Sequence, residues 1–200
     1  METIKIQKEV QIPGTNVILE EGDLISVSPK HSLNEATSLI TEGLNSQYNY
    51  EIHSALVYEQ LANVAVYQGY TGAAAYFREA AKEEFYHANR FAELVQDLNV
   101  VPKLDTQSFE PIDVPTGFKE MIQAALLHEK DITARIRQLM SASRNLEDFN
   151  TEKFLLDFSE EQVEEESKYQ DILARIESFG PDRSSLLMID RELKEEVEKK

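Results

Sequence analysis

Four long stretches with helical periodicity constrain the fold of this chain more than any other feature. They cover residues 33–67, 72–98, 117–143 and 147–179 of the 200-residue sequence. At 1.5 Å of rise per residue, each predicted helix is roughly 40–50 Å long. Helices of this length with one apolar stripe bury that stripe against one another, which predicts a helical bundle.

The ends of the predicted helices carry start and stop signals. Ser32 and Glu35 have the spacing of a capping box, and Gly180-Pro181 is a strong stop after the fourth helix. Short links follow the first and third helices, whereas residues 99–115 form a long connection that contains proline. We therefore expect an all-α fold with two antiparallel hairpins joined by a crossover, followed by a short fifth helix over residues 184–197.

The first 31 residues have a different pattern of apolar and polar residues from the rest of the chain. Short runs alternate apolar with polar residues, and Pro13-Gly14 and Glu21-Gly22-Asp23 separate these runs as turns. We divide the chain into an amino-terminal arm, residues 1–31, and a helical bundle with its short carboxy-terminal helix, residues 32–200. The arm is predicted to form two or three short β-strands on the outer surface, with a flexible tail as the alternative.

Charge and cysteine content exclude several functions. The 37 acidic and 20 basic residues give a formal charge of −17, which repels phosphate backbones, so we expect no nucleic-acid partner. The absence of cysteine excludes disulfides, thiolate zinc sites and cysteine-ligated iron–sulfur clusters. No stretch approaches the roughly 18 apolar residues of a membrane span. We expect a cytoplasmic protein with no membrane partner.

Each apolar stripe is interrupted by an acid near its middle. These acids, one per long helix, are Glu51, Glu84, Glu129 and Glu165, and no lysine or arginine lies on the same stripes. A bare carboxylate in an apolar interior is costly unless it is protonated or paired. One such glutamate is commonly a buried hydrogen-bonded acid. Four converging acids instead favour bound dications, which supply positive charge and accept oxygen ligands.

The two predicted hairpins repeat one polar pattern, an acid on the first helix and two polar residues three positions apart on the second. The positions that correspond, at equal separation along the chain, are Glu51 with Glu129, Glu84 with Gln162, and His87 with Glu165. Residues at i and i+3 share a helix face, so Glu84 and His87 can bind one metal ion. Carboxylates with one imidazole favour iron or manganese over copper, structural zinc or calcium.

Several motifs stand in a fixed order along the chain. They are Leu44-Asn45 through Tyr58, Gly72-Ala73-Ala74-Ala75, Glu83-Glu84-Phe85-Tyr86-His87, His128-Glu129, Glu161-Gln162-Val163-Glu164-Glu165 and Met188-Ile189-Asp190-Arg191-Glu192-Leu193. Together they resemble the non-haem ferritins of bacteria, over about residues 33–196. The resemblance implies a ferritin-like four-helix bundle in which the last motif forms the short fifth helix. It also implies a homo-oligomer, a shell of 24 subunits.

The resemblance also implies which residues bind iron. By this resemblance Glu51, Glu84 and His87 bind the first iron, and Glu84 bridges to the second. Glu129 and Glu165 bind the second iron. The second iron position, with Glu129 and Glu165 as ligands, lacks a histidine, so we expect it to bind its metal ion less tightly than the first position does.

Further positions follow from the same resemblance. A third iron position shares Glu165 and adds Glu83, Glu161 and Glu164. Gln162 lies beside the second iron, near bound dioxygen. Tyr58 donates a hydrogen bond to a ligand carboxylate or supplies an electron, and a plain core tyrosine is the alternative. Phe85 stands where haem-containing bacterioferritins have a methionine, so no haem is expected.

The predicted function is iron storage with ferroxidase activity. Dioxygen or hydrogen peroxide would oxidise Fe(II) at a dinuclear carboxylate site with two irons per chain, and ferric oxide would be deposited in the shell cavity. The alternative is a non-enzymatic structural or partner-binding bundle whose acids make buried hydrogen bonds. Such a bundle would work through its amino-terminal arm, which contacts a neighbouring subunit or a separate partner.

Overall fold

Helices dominate the computed structural model, which describes residues 2–5, 10–11, 18–19, 24–27, 32–105, 112 and 114–199. They are α1 (Ser32–Gln68), α2 (Thr71–Asp97), α3 (Phe118–Asn145), α4 (Phe149–Phe179) and α5 (Arg183–Glu198). The predicted all-α bundle with a short fifth helix is therefore confirmed. No helix in this part of the chain has a segment long and apolar enough to cross a bilayer. The predicted turns and the capping-box side chains lie outside the described part: Pro13-Gly14, Glu21-Gly22-Asp23, Ser32 and Glu35.

Short strands precede the helices. They are β1 (Glu2–Lys5), β2 (Val10–Gln11), β3 (Ile18–Leu19) and β4 (Leu24–Val27). β1 pairs antiparallel with β4, and β2 pairs antiparallel with β3. The two ladders keep one register, from Glu2 opposite Val27 to Gln11 opposite Ile18. The described strands thus share the register of a single hairpin.

Contacts divide the chain into two compact units. The first contains Met1–Tyr50, Ala88–Leu104 and Ile132–Gln162, and the second contains Glu51–His87, Asp105–Asp131 and Val163–Lys200. Each long helix therefore contributes one segment to each unit, and α5 belongs to the second unit. The turn between α1 and α2 lies in the second unit, and the turn between α3 and α4 lies in the first.

Aromatic packing characterises the core of the first unit. The ring of Phe91 lies 4.6 Å from the ring of Phe158 and 5.4 Å from that of Phe154, measured between centroids. The Arg90 guanidinium lies 4.2 Å from the centroid of Phe158, a cation–π distance. The helical period places these apolar side chains on one face of each segment, as the stripes predicted.

The short helix α5 is fixed to the start of α2 within the second unit. The carboxylate of Asp190, buried at 7% exposure, accepts a 2.7 Å hydrogen bond from the backbone N–H of Ala73. Gly72 permits this approach, since a Cβ there would lie 1.7 Å from the carbonyl oxygen of Asp190. Ile189 and Leu193 are fully buried in the core of this unit. The fifth helix is therefore an integral part of that core.

Glycines and one acid define the helix ends in this unit. Gly69 has φ +84° after α1, and Gly180 has φ +90° after α4. Both values lie in the left-handed region, where glycine carries no steric cost. The predicted stop at Gly180 is thus confirmed. Asp182 caps α5 by accepting hydrogen bonds from the backbone N–H groups of Ser184 and Ser185.

Candidate metal centre

Three buried side chains from two helices converge in the second unit. Glu51 of α1 is 1% exposed, and Glu84 and His87 of α2 are each 4% exposed. One ligand atom from each residue lies within 4.8 Å of the others. In the described part of the chain, this is the only group of three or more His, Asp or Glu residues that close together. The structure therefore brings together the three residues predicted for the first iron.

Helix geometry explains why these side chains meet. Glu84 and His87 are three positions apart on α2 and so share one face. His87 Nδ1 lies 3.7 Å from Glu84 Oε2. On α1, the stripe that carries Glu51 continues through Ala55 and Tyr58, both fully buried. The acid that interrupts the apolar stripe is thus held inside the fold by its apolar neighbours.

The environment of Glu84 disfavours its charged form. Burial is the largest cause that raises the pKa of Glu84 well above its usual range, and the carboxylate of Glu129 is the next. Glu165 and Glu83 raise this pKa further, while a hydrogen bond with Glu51 lowers it. Four other acidic side chains therefore act on Glu84, and added positive charge would relieve the repulsion from the three that raise its pKa.

A divalent cation fits this environment. Oε2 of Glu84 is buried and has no hydrogen-bond donor within the described residues. A buried acceptor of this kind is normally satisfied by a proton, a donor or a metal ion. Two carboxylates with one imidazole form a donor set that suits Fe(II). Glu51, Glu84 and His87 therefore supply three ligand atoms for one metal ion, which would be bound as a substrate.

Tyr58 contacts an acid on a third helix. Its hydroxyl donates a short hydrogen bond to Oε1 of Glu129, which is 1% exposed. Burial, followed by the charge of Glu129, raises the pKa of Tyr58 well above its usual range. The hydroxyl therefore stays protonated at neutral pH and remains a donor to Glu129. Tyr58 therefore donates a hydrogen bond to one of the acids that the sequence analysis singled out.

Two further tyrosines beside Tyr58 were not singled out from the sequence. The rings of Tyr58 and Tyr169 stack, with centroids 6.3 Å apart and planes 11° apart, and Tyr76 meets Tyr169 edge-on at 6.1 Å. Burial raises the pKa of Tyr169 well above its usual range, while a hydrogen bond with Tyr58 lowers it. Tyr169 lies four residues after Glu165 on the α4 stripe, and that spacing was the available signal.

Glu165 has a basic partner that lies beside the apolar stripe of α4 and not on it. Lys168 Nζ lies 2.5 Å from Glu165 Oε1, and the Glu165 side chain is 14% exposed. The physical reason is the i,i+3 spacing on α4, which brings the long lysine side chain over the acid one turn away. Glu129 and Glu165 are therefore both held by donors, Tyr58 and Lys168 respectively.

Within the described residues, the acids predicted for a third iron are not among the side chains whose ligand atoms lie within 4.8 Å of one another. Glu83 is half-buried, Glu164 is exposed, and Glu161 is half-buried with its carboxylate 3.9 Å from the guanidinium of Arg90. Glu161 belongs to the first unit, whereas Glu83 and Glu164 belong to the second. Gln162, the last residue of its segment in the first unit, is buried at 3% exposure.

Comparison with known proteins places these observations in a family context. A family model described as a ferritin-like domain matches residues 41–179. The chain is 33% identical over 152 residues to the bacterial non-heme ferritin of Escherichia coli O157:H7, which covers 76% of this chain and 92% of that relative. It is 31% identical over 150 residues to the bacterial non-heme ferritin of Staphylococcus epidermidis, covering 75% of this chain and 90% of the relative.

Solved structures agree with the sequence comparison. The open pore ferritin from the hyperthermophilic archaeon Archaeoglobus fulgidus superposes with a TM-score of 0.74 and 30% identity. That alignment covers 84% of this chain and 98% of the archaeal chain. A humanized archaeal ferritin superposes with a TM-score of 0.73 at 29% identity, covering 84% of this chain and 98% of the other.

Proposed function

Because the chain belongs to the ferritin-like family, which supports iron storage as its function, we propose that it oxidises Fe(II) at a dinuclear carboxylate centre before storage. The observation that carries the proposal is the buried group of Glu51, Glu84 and His87. Three buried side chains with metal-binding atoms within 4.8 Å of one another, on two helices of the second unit, support this proposal. The first iron binds this group, and Glu84 bridges to a second iron bound by Glu129 and Glu165.

The reaction balances with two Fe(II) ions per turnover. Each Fe(II) gives up one electron, and dioxygen takes up two electrons and two protons to leave as hydrogen peroxide. With hydrogen peroxide as the oxidant, two electrons and two protons yield two molecules of water. The ferric ions are then deposited as hydrated oxide. A pair of ions supplies both electrons at once, which a single Fe(II) ion does not.

The surrounding residues orient the ligands. Tyr58 holds Glu129 through its hydroxyl, and because the two Fe(II) ions supply both electrons, its proposed role is to orient this carboxylate. Gln162 is proposed to lie beside the second iron as a neutral partner for the oxidant. A third iron position at Glu83, Glu161 and Glu164 has less support, since Glu161 faces Arg90 and Glu164 is exposed.

The two metal positions should fill in order. Glu51, Glu84 and His87 already lie close together and include an imidazole, whereas Glu129 and Glu165 must first exchange their bonds to Tyr58 and Lys168. We expect the first position to bind Zn(II), as a surrogate for Fe(II), at least about tenfold more tightly, or about 1.4 kcal/mol.

Brief soaking of crystals in Zn(II) followed by measurement of anomalous occupancy tests this order. His87→Ala is the matched control, because without the imidazole the difference in occupancy should largely disappear. Equal occupancy of both positions at every soaking time in the unsubstituted protein would contradict the assignment. An absence of metal at Glu51, Glu84 and His87 would contradict the proposed function itself.

We further propose a homo-oligomeric shell of 24 chains in the cytoplasm, with residues 1–31 as an arm on its outer surface. The described strands pair with one another, and α1 begins directly after the arm at Ser32. Deletion of residues 2–31 should therefore leave assembly and the rate of Fe(II) oxidation nearly unchanged. Size-exclusion chromatography and oxidation kinetics measure both. A truncated protein that assembles but no longer oxidises Fe(II) would place the arm in the catalytic unit.

A further inference from the structure

Lys168 is a cation within reach of the proposed iron ligands. Its ammonium lies 2.5 Å from Glu165 Oε1, and its side chain is 32% exposed. It lines a cleft in the second unit together with acidic residues of α2, α4 and α5, namely Glu79, Glu83, Glu165 and Glu196. Among the residues that line this cleft in the described part of the chain, Lys168 has the only cationic side chain.

The acids around Lys168 keep it charged. Burial alone would lower the pKa of Lys168, but the bond and charge of Glu165, with the charges of Glu83 and Glu164, raise it above its ordinary value. Glu165 also acts on Glu84, whose pKa it raises. The carboxylate of Glu165 therefore interacts with the metal-binding group and with the lysine ammonium.

We propose that Lys168 is a tethered counter-ion that competes with iron for Glu165 and so sets the affinity of the second metal position. This role rests on the proposed function of Glu165 as an iron ligand. While the ammonium binds Glu165, it supplies positive charge beside the acidic cluster. Binding of the second iron requires the Lys168 ammonium to leave the carboxylate of Glu165. The ammonium can then pair with Glu83 or Glu164, whose charges also act on it.

The same competition weakens every cation bound at the second position, because the cation must hold Glu165 against the Lys168 ammonium. This ammonium also contributes positive charge beside Glu83 and Glu164, where a third iron was expected, so it disfavours a third cation there.

Anaerobic titration of the full-length protein with Co(II), followed by visible absorption, tests this role. Lys168→Met should bind the second equivalent of Co(II) about tenfold more tightly than the unsubstituted protein, a change of about 1.4 kcal/mol. The affinity for the first equivalent, at Glu51, Glu84 and His87, should stay nearly constant. Lys168→Arg keeps the charge and should restore the weaker second step.

Lys119→Met is the matched control. Lys119 forms an ion pair of 3.1 Å with Glu177, and its side chain is 38% exposed, close to the value for Lys168. This substitution removes the same charge without touching Glu165, so both Co(II) affinities should be unchanged. Lys168→Gln provides a second neutral side chain if the methionine variant does not assemble.

The Co(II) titrations distinguish failure of the proposed role of Lys168 from failure of the proposed function. If the unsubstituted protein binds two equivalents and the neutral variants bind the second one equally well or more weakly, the role of Lys168 is wrong and the proposed function stands. If the unsubstituted protein binds no Co(II) tightly, both are wrong.

Discussion

Replacement of Glu84 by alanine should abolish rapid Fe(II) oxidation and leave a folded, assembled protein. Glu84 is the proposed bridge between both metal positions, so its loss disrupts the pair rather than a single ion. Removal of a residue that only orients a metal ligand typically costs about 10–100-fold, and loss of a bridging ligand should cost at least about 100-fold. Stopped-flow absorbance of ferric species after mixing with Fe(II) and air measures the rate.

The apo form of the Glu84→Ala variant should be as stable as the unsubstituted apo protein, or more stable. Burial and Glu129 raise the pKa of Glu84 above its ordinary value of 4.5, so folding favours its neutral form. The stability that this provides is present below that ordinary value and is lost as the pH rises through the raised pKa. Above that ordinary value the buried acid therefore lowers the stability of the folded apo protein, and the substitution removes this penalty. Thermal unfolding of the metal-free proteins from pH 5 to pH 8 measures this difference.

The exposed Glu160 of α4 provides a control for the loss of one negative charge. Glu160→Ala should change neither the oxidation rate nor the thermal midpoint. A large fall in the apo midpoint of Glu84→Ala, with Glu160→Ala unaffected, would show that Glu84 is a structural residue and would contradict its role as a metal ligand.

Replacement of Gly72 by alanine should displace α5 and lower stability. The new Cβ would lie 1.7 Å from the backbone carbonyl oxygen of Asp190, and no side-chain rotation relieves that clash. The 2.7 Å bond from Ala73 N–H to Asp190 would be strained as well. Overpacking of this kind costs about 1–3 kcal/mol, and each kcal/mol lowers the midpoint by about 2–4 °C in a protein of this size.

Gly117 offers a matched substitution in the same unit. A Cβ at Gly117 would lie 2.4 Å from a carboxylate oxygen of Glu120, the flexible end of a side chain that can rotate away. Differential scanning calorimetry should therefore show a small effect for Gly117→Ala and a much larger fall for Gly72→Ala. An unchanged midpoint for Gly72→Ala would show that α5 does not depend on this close approach.

The helices and the buried acids were predictable because both depend on local periodicity. The stripe that carries Glu51 and Tyr58 is read directly from spacings of three and four, and so is the pairing of Glu84 with His87. Burial of these side chains follows when the stripes pack. The end of α4 at Gly180 depends on a single residue with a strong backbone preference, and it was also predictable.

Contacts between distant segments were not predictable in the same way. The approach of Gly72 to Asp190 joins residues that are far apart in the sequence, and no periodicity reports it. Lys168 was missed for a different reason. Its spacing from Glu165 was visible, but a lysine next to an apolar stripe is ordinarily solvated, and its direction depends on the acids of the neighbouring helices. Only the three-dimensional structure shows that its ammonium lies against Glu165, in a cleft that Glu83 also lines.

The central claim is that this chain oxidises Fe(II) at a buried pair of metal positions. Anaerobic titration of the assembled protein with Fe(II), followed by admission of air and optical detection of ferric species, tests it most directly. The account predicts that about two Fe(II) ions per chain bind tightly and are oxidised much faster than Fe(II) in buffer. A folded, assembled protein that binds no Fe(II) tightly, or that leaves its oxidation rate unchanged, would contradict the account.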